Sequence, residues 1–367
     1  MAPGRLALTV HLLAALAVAA CSPVPIPSPP PPATPDSAPV PATTQAQVAD
    51  FYRGKTVRIV VGTPPGGGFD LTSRLLAERL PAYLPGEPTV IVENRPGAGG
   101  MIAANTVYTT EPKDGTVILS FVSSIVIRQL LGQPGVSFDA GKFQWLGAAQ
   151  EDTSACLVRA DTGVRSLEEA VASDRELVLG TGGPGNDSHD VPAVLASELG
   201  ARLKLVSGYA GFSELRLATE RKEIDGFCIS FTSMLTNLTQ WLEGDQPLAR
   251  IVAIMGDTTP DHPTVRGLTP AERLAKSEES RQLMRLVNAG QRINKPFAVA
   301  PEVPPDRVEA LRSALARAFA DPLLLAKAET AKLVVAPLSA GRVTDYIQGL
   351  LRTPQPLRDR LRSIVEP

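Results

Sequence analysis

A chain of 367 residues is too long for one typical core and about right for two domains. Hydrophobic residues at 44% and charged residues at 20% are ordinary for a globular protein, and a formal net charge of −2 offers no basic field for nucleic acid. Aromatic residues at 5% do not favour a sugar-stacking or base-stacking groove.

The first 20 residues read as a signal peptide. Arg5 supplies a positive n-region, and Leu6 to Ala20 is apolar apart from Thr9 and His11. The exit, Val18-Ala19-Ala20-Cys21, is similar to a bacterial lipobox, so Cys21 is expected to carry the acyl chains of a lipoprotein. Ser22 to Ala46 is rich in Pro, Ala, Ser and Thr, with Asp36 its one charge. Residues 21–50 are therefore expected to form a Pro-rich, disordered tether. At ~3.1 Å per residue, ~25 such residues reach ~75 Å from a membrane.

From residue 56 onward strand and helix patterns alternate. Val57–Val61 reads as a buried strand, followed by Gly62-Thr-Pro-Pro-Gly-Gly-Gly-Phe-Asp70 and a helix that Asp70 is expected to cap. Val90–Val92 is a second strand, followed by Asn94-Arg-Pro-Gly-Ala-Gly-Gly100 and a helix over Met101–Tyr108. Thr116–Phe121 and Ile125–Leu131 make a third strand and helix. Ser166-Leu-Glu-Glu169 is a capping box. Glu176–Leu179 then runs into a third glycine-rich turn, Gly180 to His189, with a helix from about Val191. Ser213 is expected to cap a helix through Ala218. Later elements are a strand at Ile224–Ile229, a strand at Arg250–Met255, a charged helix over Ala271–Val287, and a strand at Pro296–Ala300. The amphipathic helix Pro305–Phe319, a strand at Leu333–Val335, and a helix over Val343–Leu351 capped by Thr344 or Asp345 complete the reading. Such alternation means a mostly parallel sheet with helices on both faces.

A strand–glycine turn–helix unit points backbone N–H groups at one spot, and a helix N-terminus carries about half a positive charge. Three such units make a cradle for a small anion. Catalytic readings lack support. The Gly62–Gly68 turn has neither the Lys-Ser/Thr of a P-loop nor GxGxxG spacing. Ser188, His189 and Asp190 are neighbours in sequence and project about 100° apart on a helix, so they form no relay. Neither enzyme activity nor a cofactor or metal is expected. Cys156 and Cys228 lie in apolar strand-like runs. An exported compartment permits a disulfide between them, and buried free thiols are the simpler expectation.

The residues then point to a family. Val61 to Asp70 resembles the "PPGGGxD" turn of the extracytoplasmic solute-binding proteins of tripartite tricarboxylate transporters, the Bug family. Val92-Glu-Asn-Arg-Pro-Gly-Ala-Gly-Gly100 resembles their "VENRPGAGG" segment. Lys113 to Leu119, Gly180 to His189, Tyr209-Ala-Gly211, Glu223-Ile-Asp-Gly226 and Pro296 to Pro301 fall at further family positions. The resemblance covers about residues 51–352. It implies the type II periplasmic-binding-protein fold: α/β, two lobes, two hinge crossings, here expected near Gln150 and Asn294. Lobe one is then 51–150 with 294–352, lobe two 151–293, and 353–367 a C-terminal tail.

The resemblance also implies a small carboxylate ligand, held by backbone N–H groups rather than by Arg. The expected ligand-binding residues are Pro65, Gly66, Gly67, Gly68, Asp70, Gly100, Met101, Ser123 and Ser124 from one lobe, with Thr181, Gly182, Asn186, Ser188, His189 and Phe231 from the other. Asp70 and His189 are read as serving structure as much as ligand, and Arg95 as a salt-bridged prop for its loop. Met101 replaces the family's usual Asn, and Phe231-Thr-Ser233 replaces a loop in which many members carry Asp. The implied function is a periplasmic, lipid-anchored, monomeric binding protein that delivers its ligand to a membrane permease. Presentation of the loaded lobes to a sensor kinase ectodomain is the alternative.

Overall fold

The computed structural model describes Met1 and residues 42–366. The expected signal peptide, Cys21 and the tether through residue 41 lie outside the described residues. The end of the expected tether is a helix, α1 (Ala42–Tyr52). The stretch 42–50 contains no Pro, and Val48 and Tyr52, four apart, share a buried face. The Tyr52 hydroxyl donates to Gly115 O at 3.0 Å.

The first lobe runs β1 (Thr56–Val61), α2 (Gly68–Arg79), β2 (Thr89–Asn94), α3 (Met101–Thr109), β3 (Val117–Ser120), α4 (Ile125–Leu130) and β4 (Gln144–Gln150). The chain then passes to the second lobe: β5 (Ser154–Arg159), α5 (Leu167–Ala172), β6 (Leu177–Thr181), α6 (Asp187–Leu199), β7 (Leu203–Ser207), α7 (Phe212–Glu220), β8 (Gly226–Ser230), α8 (Phe231–Asn237), α9 (Thr239–Leu242), β9 (Ala249–Ile254) and α10 (Glu278–Arg292). It returns as β10 (Asn294–Val299), α11 (Pro305–Phe319), α12 (Pro322–Thr330) and α13 (Ala340–Leu351). A last helix, α14 (Gln355–Val365), fills the expected tail. Its Leu357, Leu361 and Val365 pack with α6 and α10 of the second lobe, so the chain passes between the lobes a third time.

Each lobe holds one five-stranded sheet, ordered β2-β1-β3-β10-β4 and β7-β6-β8-β5-β9. β1 pairs parallel with β2 and β3, and β6 with β7 and β8. β10 and β5 run against their neighbours. The reason is topological. β1, β3, β6 and β8 end at the edge between the lobes, whereas β10 and β5 begin there, having just crossed. Both are therefore antiparallel.

Each sheet is covered on both faces by apolar clusters. Ile127, Leu130 and Leu131, at the end of α4, belong to the second lobe's cluster with Val191, Leu195 and Leu361. Within the second sheet Cys156 and Cys228 are direct partners across β5 and β8 and form a disulfide, which overturns the expectation of free thiols. Adjacent register brings their Cα atoms to 4.0 Å.

Several helix starts differ from the sequence reading. The cap of α2 is Gly67, and Asp70 sits in the first turn, where its carboxylate reaches back to Gly66 N–H at 2.8 Å. Gly211, not Ser213, precedes α7. The charged helix begins after Ser277, whose hydroxyl accepts Ser280 N–H at 3.0 Å, and Ala271–Arg273 is a separate 3-10 turn. α13 starts after Ser339, which accepts Arg342 N–H, so the helix begins a turn before Thr344. Leu333–Val335 is no strand: two single bridges, Gln150 to Ala336 and Ala148 to Leu338, fasten that segment beside β4. No described helix is long and apolar enough to cross a membrane.

Candidate functional site

The two glycine turns of the first lobe meet backbone to backbone. A Cβ added to Gly62 would stand 2.9 Å from Gly100 Cα, so a side chain there would drive the turns apart. Polar side chains lock the pair. Asn94 donates to Thr63 O at 3.1 Å and to Asp70 Oδ1 at 2.9 Å, and Arg74 donates to Asp70 and to Asn94 Oδ1. Burial acts to raise the Asp70 carboxyl, but its bonds from Arg74, Gly66 N–H and Asn94 hold it below the ordinary value. Arg95 pairs with Glu93 and Glu111 and Arg58 with Glu93, so Arg95 props its loop.

These turns open on a cleft of about 570 Å³ between the two sheets. Gly66, Gly67, Gly68, Ser123 and Ser124 line it from the first lobe, and Asn186 and Ser188 from the second. The Ser123 hydroxyl is committed to Gly290 O at 2.6 Å. Asn186 caps α6: its Oδ1 accepts Ser188 N–H at 3.0 Å and the Ser188 hydroxyl at 2.8 Å, while Gly182 N–H donates to Ser188 Oγ. The second-lobe turn is thus shaped by its own hydrogen bonds.

Eight of the expected residues lie outside the cleft lining. Asp70 is turned into the lock just described. Pro65 is exposed and is not among the lining residues. Gly100 packs on Gly62, and Met101 points the other way, its Cε toward Gly135. The Thr181 hydroxyl faces Ser207 Oγ at 3.1 Å and accepts Gly183 N–H, and Gly182 serves the turn. His189 is buried against Asp190 at 3.0 Å. Phe231 is buried in the second lobe's core.

The cleft floor is built from residues the sequence patterns did not single out as ligand contacts. Gln150, at the end of β4, and Asn294 and Lys295, at the start of β10, lie where the chain crosses. Asp152, between the lobes, accepts Gln150 Nε2 at 3.1 Å, the Thr232 hydroxyl at 2.5 Å and the Ser230 hydroxyl. Gln150 Oε1 accepts the Lys295 ammonium at 2.7 Å. Burial pulls the Lys295 ammonium below its ordinary value, against the attraction of Asp152. Asp187, the first residue of α6, also lines the cleft and accepts from Gln291. Its carboxyl is pushed up to about 6, chiefly by burial, with the charges of Asp190 and Asp152 adding to the effect and Gln291 opposing it. Phe69, Phe212 and Ile229 supply apolar wall, and Lys332 stands exposed among the lining residues.

Such a cleft offers the first N–H groups of α2, hydroxyls and an ammonium to a small polar guest, with apolar surface for its carbon skeleton. Among the described residues no group of three or more His, Cys, Asp or Glu is placed to hold a metal ion.

Residues 73–242 match the family model described as "Tripartite tricarboxylate transporter family receptor". A curated relative, the "UPF0065 protein in tcbD-tcbE intergenic region" of Pseudomonas sp. (strain P51), is 28% identical over 292 residues, covering 74% of this chain and 81% of the relative. Two solved structures share the fold. One is a TctC solute binding protein from Polaromonas, with TM-score 0.63 and 18% identity over 84% of this chain and 99% of that one. The other is MatC from Rhodopseudomonas palustris with bound malate, with TM-score 0.58 and 18% identity over 85% and 99%.

Proposed function

We propose that the chain is a receptor of the tripartite tricarboxylate transporter kind, the family whose model residues 73–242 match, and that it captures a small organic carboxylate between its lobes and delivers it to a membrane permease of the tripartite tricarboxylate type. The observation that carries this reading is the cleft itself. The Gly66–Gly68 turn before α2 and the Asn186–Ser188 turn at α6 line one cavity from opposite lobes. Both present helix N-termini, which favour negative charge. Capture between lobes suits a carrier: the ligand stabilises the closed form, and a permease can read that form. The malate in MatC supports the ligand class. The reading places the protein in the periplasm, held to a membrane through an acylated Cys21.

Thermal unfolding against a panel of mono-, di- and tricarboxylates tests the ligand class. A ligand at about a hundredfold over its Kd adds ~2.7 kcal/mol to stability. Stabilisation by neutral sugars or cations alone sinks the carboxylate reading.

A further inference from the structure

Lys295 occupies an unusual position in three respects. Its backbone is left-handed, with φ of 55°, a conformation that costs a residue with a side chain and persists where the surroundings enforce it. Its side chain runs into the cleft alongside the start of α2, with Cε 3.4 Å from where a Gly68 Cβ would stand. Among the described residues its ammonium makes one hydrogen bond, to Gln150 Oε1, and no ion pair.

An ammonium has three donors, so two remain. Gln150 is itself held by Asp152 and Thr232 through its Nε2, so its carbonyl, not its amide nitrogen, faces the lysine. Lys295 is therefore a positive charge that no carboxylate touches: Asp152 attracts it, but Gln150 takes the hydrogen bond. Beside it are the first N–H groups of α2, which have no intrahelical acceptor. Leaving a half-buried charge without a bonded counter-ion costs free energy, and an arriving anion lowers that cost.

We propose that Lys295 and the first turn of α2 together bind one carboxylate group of the ligand, and that Lys295 selects the ionised acid over its neutral amide. The proposal rests on the carboxylate reading above and adds its charge-selecting residue. The departure from a site made only of backbone N–H groups comes from topology: β10 lies next to β3, and its first residues face the β1–α2 turn.

The test compares succinate with succinamide, its uncharged counterpart of similar shape, by calorimetric titration of the full chain and of Lys295→Met and Lys295→Gln. Wild type is expected to prefer succinate strongly. Both variants are expected to lose about a hundredfold in succinate affinity, the scale of a lost buried charge partner, with succinamide affinity unchanged, so that the preference collapses. Equal losses for both ligands show a structural role and overturn the proposal, as does an unchanged preference. Wild type that binds neither succinate nor any other carboxylate of the panel refutes the underlying carboxylate reading instead. Circular dichroism of each variant confirms folding, and the glutamine variant, which keeps a donor, covers the case in which the methionine variant does not fold.

Discussion

Reducing the disulfide between Cys156 and Cys228 should loosen one lobe and spare the other. The two residues are 72 apart in sequence. Closing a loop of that length removes about 15 cal/mol/K from the unfolded chain, or about 4.4 kcal/mol at 25 °C in the chain-entropy account. Native bridges contribute 2–5 kcal/mol in practice, so about 4 kcal/mol is the expectation. The structure supplies a probe for each lobe: Trp145 is buried in β4 and Trp241 in α9. Urea unfolding of Trp145→Phe, with and without reductant, follows the second lobe through Trp241 alone. With m near 2–3 kcal/mol/M, its midpoint should fall by about 1.3–2 M. Trp241→Phe, which reports the first lobe, should shift by much less. A shift under about 1 kcal/mol, or equal shifts at both tryptophans, refutes the reasoning. Alkylation of the unreduced, denatured protein should leave both cysteines unlabelled.

Two further outcomes are expected. The raised carboxyl of Asp187 means that the fold favours its neutral form. Its contribution to stability is full below about pH 4 and is lost as pH rises through about 6. Partial solvent access reduces the cost at neutral pH to about 1–2 kcal/mol. Asp187→Asn should therefore raise Tm at pH 8 and leave it unchanged at pH 4, and an equal gain at both counts against the burial argument. Cys21→Ser should move the protein from the membrane to the soluble fraction on cell fractionation; continued membrane association rules out the acyl anchor.

The glycine turns and their strands were legible because each is a local signal: an apolar run, a cluster of glycines, then a helical period. The lobe crossings near Gln150 and Asn294 were legible through family resemblance. Lys295 was not, because one lysine at the start of a strand carries no pattern, and its meaning depends on which strand lies beside β10. Met101 misled for the opposite reason. Its position beside a glycine turn implied the cleft, but the first residue of α3 points its side chain away, toward Gly135. The helix α14 was readable in principle, since Leu357, Leu361 and Val365 recur at four-residue spacing. Proline at its start and end, and its charged outer face, made it resemble a tail. The disulfide depended on strand register, which spacing along the chain does not reveal.

The position of α14 has a mechanical consequence. Only Arg352, Thr353 and Pro354 separate it from α13, a span of about 10 Å at full extension. Arg358 ties it to Leu351 O and Thr353 O, Arg362 to Leu131 O, and Arg360 to Glu198 on α6. With the end of α4 it forms an apolar brace against the second lobe. The jaws are thus not free to swing apart about two flexible strands. Opening the cleft must work against this brace, so, on the proposed function, a permease that pulled on α14 would hold a lever on the cleft.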